Sequence, residues 1–230
     1  ALSGNIFADE LNYECEWYPE SRRYYANIVG KFGLQVLNIL KKLADLDIEL
    51  ICSLHGPIYR TKEDIIACFK KYQTWGSYSP EDDEVVIFSG SVYGNTEDFS
   101  TLLATLVAQR GIRNTKVLDI SSIDVSYLLS EAFRAKVLVF ASSSYNGGLF
   151  TPMENFLMDL VAHNFQNRDV FVVENGSWAL TAGKSMREII GQLKKVNIAE
   201  ETISIKSLLS KDQYADTVAM ADKIVECLKK

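Results

Sequence analysis

From residue 85 onward the sequence alternates short β-branched runs with helical stretches, and that alternation restricts the fold more than any other feature. The runs are 85–88, 116–120, 137–141, 170–173 and 202–205, and helical stretches lie at 96–110, 123–133, 152–163, 182–193 and 212–228. Short β-branched runs alternating with helices are the pattern of a parallel sheet wrapped by helices on both faces. The pattern predicts an α/β domain built on a doubly wound, five-stranded parallel sheet. At about 145 residues it is an ordinary size for one domain.

The preceding part reads as mostly helical. Ile28, Val29, Phe32, Val36, Leu37, Leu40 and Leu43 fall on roughly one face of a helix over 24–46. An apolar run at 48–54 predicts a strand that ends before Gly56-Pro57, with His55 at its exit. A helix over 62–75 follows, and then Gly76-Ser77-Tyr78-Ser79-Pro80 and the acidic Glu81-Asp82-Asp83-Glu84 form the best linker candidate. The expected domains are therefore 1–80 and 81–230.

Charge and cysteine usage narrow the classes of function. A net charge of -6 argues against a nucleic-acid groove or an anionic membrane surface, since both require clustered Lys and Arg. Cys15, Cys52, Cys68 and Cys227 form no C-x-x-C pair, which leaves no dithiol redox motif or zinc ribbon and fits reduced thiols in the cytoplasm. No apolar run approaches the ~20 residues of a membrane span, and the N-terminus lacks a signal-peptide profile. The chain starts at Ala1 without an initiating Met, as a piece of a longer chain would.

In an open parallel sheet, ligands bind beyond the carboxyl ends of the strands where the winding reverses. The loop after the first run is Ser89-Gly90-Ser91-Val92-Tyr93-Gly94-Asn95-Thr96, which leads directly into a helix. Its hydroxyl and amide groups, its two glycines and the free N–H groups of a helix start could cradle a phosphate without any Lys or Arg. An ordinary turn with Thr96 as helix cap is the alternative. The loop after the third run, Ser142-Ser143-Ser144-Tyr145-Asn146-Gly147-Gly148, again offers small polar donors and one aromatic ring. The loop after the fourth, Asn175-Gly176-Ser177-Trp178, places a Trp where core packing does not explain it. Together the three describe a phosphate at one end and a flat, uncharged, hydrogen-bonding ring at the other. Alternatively, Tyr145 and Trp178 pack only on each other. Ala182-Gly183-Lys184-Ser185 ends like a Walker loop, but Trp178 stands where that motif needs its first glycine. A receiver domain would need an acceptor Asp where this chain has Ala141 and Ser142.

Ser91-Val92-Tyr93-Gly94-Asn95-Thr96 resembles the FMN-phosphate loop of flavodoxins, most closely in the form found in flavodiiron proteins. Tyr145-Asn146-Gly147-Gly148 resembles the ring-contacting loop of the same family, with Ser143 and Ser144 in place of its usual Pro and Thr. Asn5-Ile6-Phe7-Ala8-Asp9-Glu10, Arg22-Arg23-Tyr24-Tyr25-Ala26-Asn27-Ile28 and Leu54-His55-Gly56-Pro57 resemble the end of the metallo-β-lactamase-like domain that precedes the flavodoxin domain. The resemblance implies FMN as cofactor, a flavodoxin-like fold after residue 80, and His55 as the last iron-ligating histidine. The family's remaining di-iron ligands would precede Ala1, and His163 matches no ligand position, so the di-iron centre is expected only in the intact protein. The resemblance further implies electron transfer from a rubredoxin-like donor or a flavin reductase to a site reducing dioxygen or nitric oxide, in a head-to-tail homodimer. No residue of this chain is assigned to catalysis. A stand-alone flavodoxin-type carrier and a flavin-free interaction module are the alternatives.

Overall fold

In the computed structural model, which describes residues 4–229, the chain separates into two units, Ala1–Ser79 and Pro80–Lys230. In the first unit, the single helix expected over 24–46 is broken. Helix α1 (Tyr18–Tyr24) runs into a π-turn (Tyr25–Val29) and a 3-10 turn (Gly30–Phe32) before α2 (Gly33–Leu43) begins. Glycine is the weakest helix former after proline. At this break the Tyr78 hydroxyl donates to the Gly30 carbonyl at 2.8 Å, supplying a buried partner from outside the helix.

The strand expected over 48–54 shrinks to β1 (Ile51–Cys52), paired antiparallel with β2 (Ile58–Tyr59). Only these residues find a ladder partner, and Leu54 is 95% exposed. An unpaired extended segment has nothing to hold it as a strand. Helix α3 (Lys62–Gly76) starts where the Thr61 hydroxyl accepts the Asp64 amide at 3.2 Å. Tyr25, Tyr72 and Trp75 cluster with ring centroids 5.2–5.4 Å apart, while Ala8, Tyr59 and Ile65 form a second small core.

The second unit consists of β3 (Asp82–Gly90), α4 (Asn95–Gln109), β4 (Thr115–Asp119), α5 (Val125–Arg134), β5 (Ala135–Tyr145), β6 (Gly148–Leu149), α6 (Thr151–Ala162), β7 (Gln166–Asn175), α7 (Ala182–Ile190), β8 (Lys194–Ile205) and α8 (Lys211–Leu228). The five long strands lie in the order β4-β3-β5-β7-β8, all parallel, with β6 antiparallel against the end of β5. This is a flavodoxin-like doubly wound sheet. Successive residues of β3 alternate faces: Val85 and Ile87 share a core with Leu103, Val107 and Ile224 of α4 and α8, whereas Phe88 stacks on Phe140 of β5 and meets the tilted ring of Phe156 of α6 on the other side.

The acidic run expected as linker is instead the start of β3. Arg134, 8% exposed at its side chain, binds Asp82 at 3.1 Å, Glu84, and Glu131 at 2.8 Å, and Lys136 binds Asp83 at 2.9 Å. Two cations at the entry of β5 hold the acidic residues against the sheet, which a solvated spacer would not allow. Register sets the rest: Gly90 lies opposite Ser142, Ser142 opposite Glu174, and Asn175 opposite Ile205. Four strands thus end at one level, and their loops leave the sheet side by side.

Candidate functional site

Those loops enclose a cavity of about 170 Å³. After β3, the Ser91 hydroxyl accepts the amides of Gly94 (3.0 Å) and Thr96 (3.3 Å), folding the loop back on itself. Gly94, at φ 93°, turns the chain into α4 through a conformation that L side chains rarely adopt. Asn95 and Thr96 then open the helix, so Thr96 lies inside the first turn and is not its cap. Thr96 is 1% exposed, and its hydroxyl lies 3.1 Å from that of Ser143, joining the first loop to the second.

In the second loop, Asn146 (φ 50°) and Gly147 (φ 73°) both have positive φ, as a two-residue type I′ hairpin requires, and they connect β5 to β6. The hairpin carries Tyr145, 45% exposed and edge-on to Phe150. Ser144 takes a structural duty: its hydroxyl accepts the amides of Thr181 (3.0 Å) and Ala182 (3.2 Å) at the start of α7. After β7, the Gly176 amide donates to Ile205 O at 3.1 Å, and Trp178 is 102% exposed. A ring that exposed does not pack on Tyr145, which removes one alternative drawn from the sequence.

Of the expected residues, Ser91, Val92, Tyr93, Asn95, Thr96, Ser143, Ser144, Tyr145, Asn146, Asn175, Gly176 and Ser177 line the cavity. Gly94, Gly147 and Gly148 shape its loops and Ser142 is buried, whereas Trp178, though in the third loop, is not among the lining residues. Among the described residues, no Asp, Glu, Lys, Arg or His lines the cavity. Ser207, after β8, also lines it and is not among the expected residues. Its signal was weak, a lone serine beyond a strand whose long polar beginning hides its extent.

The Walker-like stretch is occupied by the protein itself. The Gly183 amide donates to Glu174 Oε2 at 2.7 Å, the Ser204 hydroxyl donates to Glu174 Oε1 at 2.7 Å, and Lys184 faces Glu188. A buried carboxylate already fills the α7 N-terminus, where a phosphate would need to bind.

His55 is exposed in the turn between β1 and β2, its ring centroid 5.8 Å from that of Tyr24. It borders a largely apolar pocket of about 270 Å³ lined mainly by α2 and α3 side chains and by Trp17. Among the described residues, no three His, Cys, Asp or Glu side chains converge to hold a metal ion. His163 closes α6, with Nδ1 2.8 Å from the Asp159 carbonyl. No described helix is long and apolar enough to cross a membrane.

No family model matches the chain. The rubredoxin-oxygen oxidoreductase of Megalodesulfovibrio gigas is 24% identical over 210 residues, 90% of this chain and 52% of that protein. The anaerobic nitric oxide reductase flavorubredoxin of Shigella flexneri is 22% identical over 214 residues, 92% of this chain and 43% of that protein. Among solved structures, rubredoxin oxygen:oxidoreductase from Desulfovibrio gigas aligns with a TM-score of 0.90 at 23% identity, over 99% of this chain and 56% of that one. The flavodiiron protein from Giardia intestinalis gives 0.88 at 19% identity, over the same shares. The chain spans about half the length of the curated relatives it matches. In sequence as in fold, and over nearly its whole length, this chain has flavodiiron proteins as its relatives.

Proposed function

We propose that the second unit binds FMN in the cavity beyond β3, β5 and β7 and serves as the electron-transferring flavin part of an oxygen or nitric oxide reductase. The observation that carries this reading is the cavity's composition. Hydroxyls, amides and the N–H groups of a helix start surround it, no charged side chain lines it among the described residues, and aromatic rings stand exposed on its loops. Neutral donors at a helix N-terminus suit a phosphate, and the exposed rings of Tyr145 and Trp178 suit a flat heterocycle that would cover them. When bound, FMN supplies one- and two-electron chemistry. The loops bind the phosphate, orient the ring and exclude water from it.

The relatives' names make a rubredoxin-type protein the natural electron donor, with a flavin reductase as the other candidate. The di-iron centre does not fit the described residues: a single exposed imidazole cannot hold two such cations, and among those residues no three His, Cys, Asp or Glu side chains converge into a ligand set. Every residue lining the cavity belongs to the second unit, which favours, as a second reading, a flavodoxin-type carrier that needs nothing from the first.

Calorimetry with FMN, riboflavin and FAD tests the site. FMN should bind one per chain and far more tightly than either of the others, and equal affinity for riboflavin would remove the phosphate from the loop after β3. Metal analysis of the purified chain should return far fewer than two irons, with oxygen consumption no faster than free-flavin autoxidation. Two irons per chain with rapid turnover would replace the proposed division of labour.

A further inference from the structure

The β7 and β8 loops are clamped together. The Asn175 side chain exchanges two hydrogen bonds with the backbone of Ser207, Nδ2 to the carbonyl at 3.1 Å and Oδ1 from the amide at 3.0 Å. Ser207 is held at φ 62°, and its hydroxyl lies 2.8 Å from that of Ser177. This engages the Asn175 amide oxygen and one of its two amide hydrogens, and anchors the two loops to each other. The hydroxyl pair is different. One proton lies between the two oxygens, and the other remains to be directed elsewhere.

We propose that Ser207 is a further ligand-binding residue, which with Ser177 presents a hydroxyl donor to the polar pyrimidine edge of the flavin ring. The inference rests on the FMN reading of the cavity. With the phosphate at the β3 loop, the β8 loop lies three strand spacings away, roughly 14 Å across the sheet end. The far end of the ligand therefore reaches Ser177 and Ser207. Of the ring's two ends, the dimethylbenzene edge gains nothing from hydroxyls, whereas the pyrimidine edge carries carbonyl oxygens that accept from them. That edge gains negative charge when the ring is reduced, and a hydrogen bond to a charged acceptor is about twice as strong as a neutral one.

Ser207→Gly removes the hydroxyl and relieves the left-handed backbone, while Ser207→Ala removes only the hydroxyl. Neither disturbs the clamp, because Asn175 bonds to the main chain. Measured by fluorescence titration on the full chain, both variants should bind oxidised FMN ~3–10-fold more weakly than wild type, as loss of one neutral hydrogen bond predicts. The loss should be larger for reduced FMN, and Ser177→Ala combined with Ser207→Gly should lose more than either single change. The FMN-to-riboflavin affinity ratio should stay at its wild-type value, since the phosphate end is untouched. Wild-type affinity for both redox states in the two Ser207 variants would overturn this inference and leave the FMN reading standing. A changed FMN-to-riboflavin ratio would likewise overturn it, by moving Ser207 to the phosphate end. If the wild-type chain bound no FMN, both would fall.

Discussion

Thr96 joins the fold to the proposed FMN site through one side chain. It is buried in the first turn of α4, its hydroxyl bridges to Ser143, and it lines the cavity. Thr96→Val keeps the shape and removes the hydroxyl, so FMN should bind more weakly by roughly 1–3 kcal/mol if a charged phosphate accepts that bond. Calorimetry checks this, and a variant that is less stable yet binds FMN normally would confine the hydroxyl to the Ser143 bridge. Trp178 presents the opposite case, a large apolar ring fully in water. If it covers the flavin, it favours the uncharged ring over the anionic reduced form. Trp178→Ala should then make reduction easier in a redox titration, and an unchanged potential would place Trp178 away from the ring.

Among the elements, α5 and β7 depend on one buried cation. Arg168 donates to the carbonyls of Phe133 and Ala135, each at 2.6 Å, and to that of Asn167 at 2.9 Å, where α5 ends and its last carbonyls lack helical partners. Arg168→Met strands those carbonyls and should cost about 2–4 kcal/mol in chemical denaturation. The strand-helix alternation after residue 85 was legible because the central strands β3, β5 and β7 are buried on both faces, and the three candidate loops followed from strand order. β8 was only half legible. Ile198 lies opposite Val170 and Thr202 opposite Val172, so β8 carries two extra residues, and that bulge breaks the alternation a reader would look for. Arg187 of α7 satisfies the bulge, donating to the carbonyls of Ala199 (2.6 Å), Glu200 (3.0 Å) and Glu201 (3.2 Å), which no local pattern announces. The Asn146-Gly147 hairpin was available as a signal but lay inside a segment interpreted for its side chains. In the first unit, the break at Gly30 depends on Tyr78, 48 residues away.

At the scale of the whole molecule, the two units should answer alkali differently. Burial pushes the phenols of Tyr25 and Tyr59 well above the usual value and that of Tyr72 up to about 12, all in the first unit. A raised folded-state pKa means that the fold favours the protonated phenol. Its contribution is therefore complete below the unfolded value near pH 10 and is lost as pH climbs through about 12. Tyrosinate absorbance and circular dichroism recorded together should show the first unit losing structure in that window, and tyrosines that titrate near pH 10 with no structural change would contradict the burial. The uncharged lining of the cavity has a kinetic consequence. A dianion approaching a chain of net charge -6 meets no cation among the described lining residues, so the long-range field opposes its arrival. Added salt shortens the reach of that field to ~10 Å at 0.1 M. Ligand capture should therefore quicken with ionic strength while release hardly changes, the reverse of the behaviour of an anion site built on lysine or arginine.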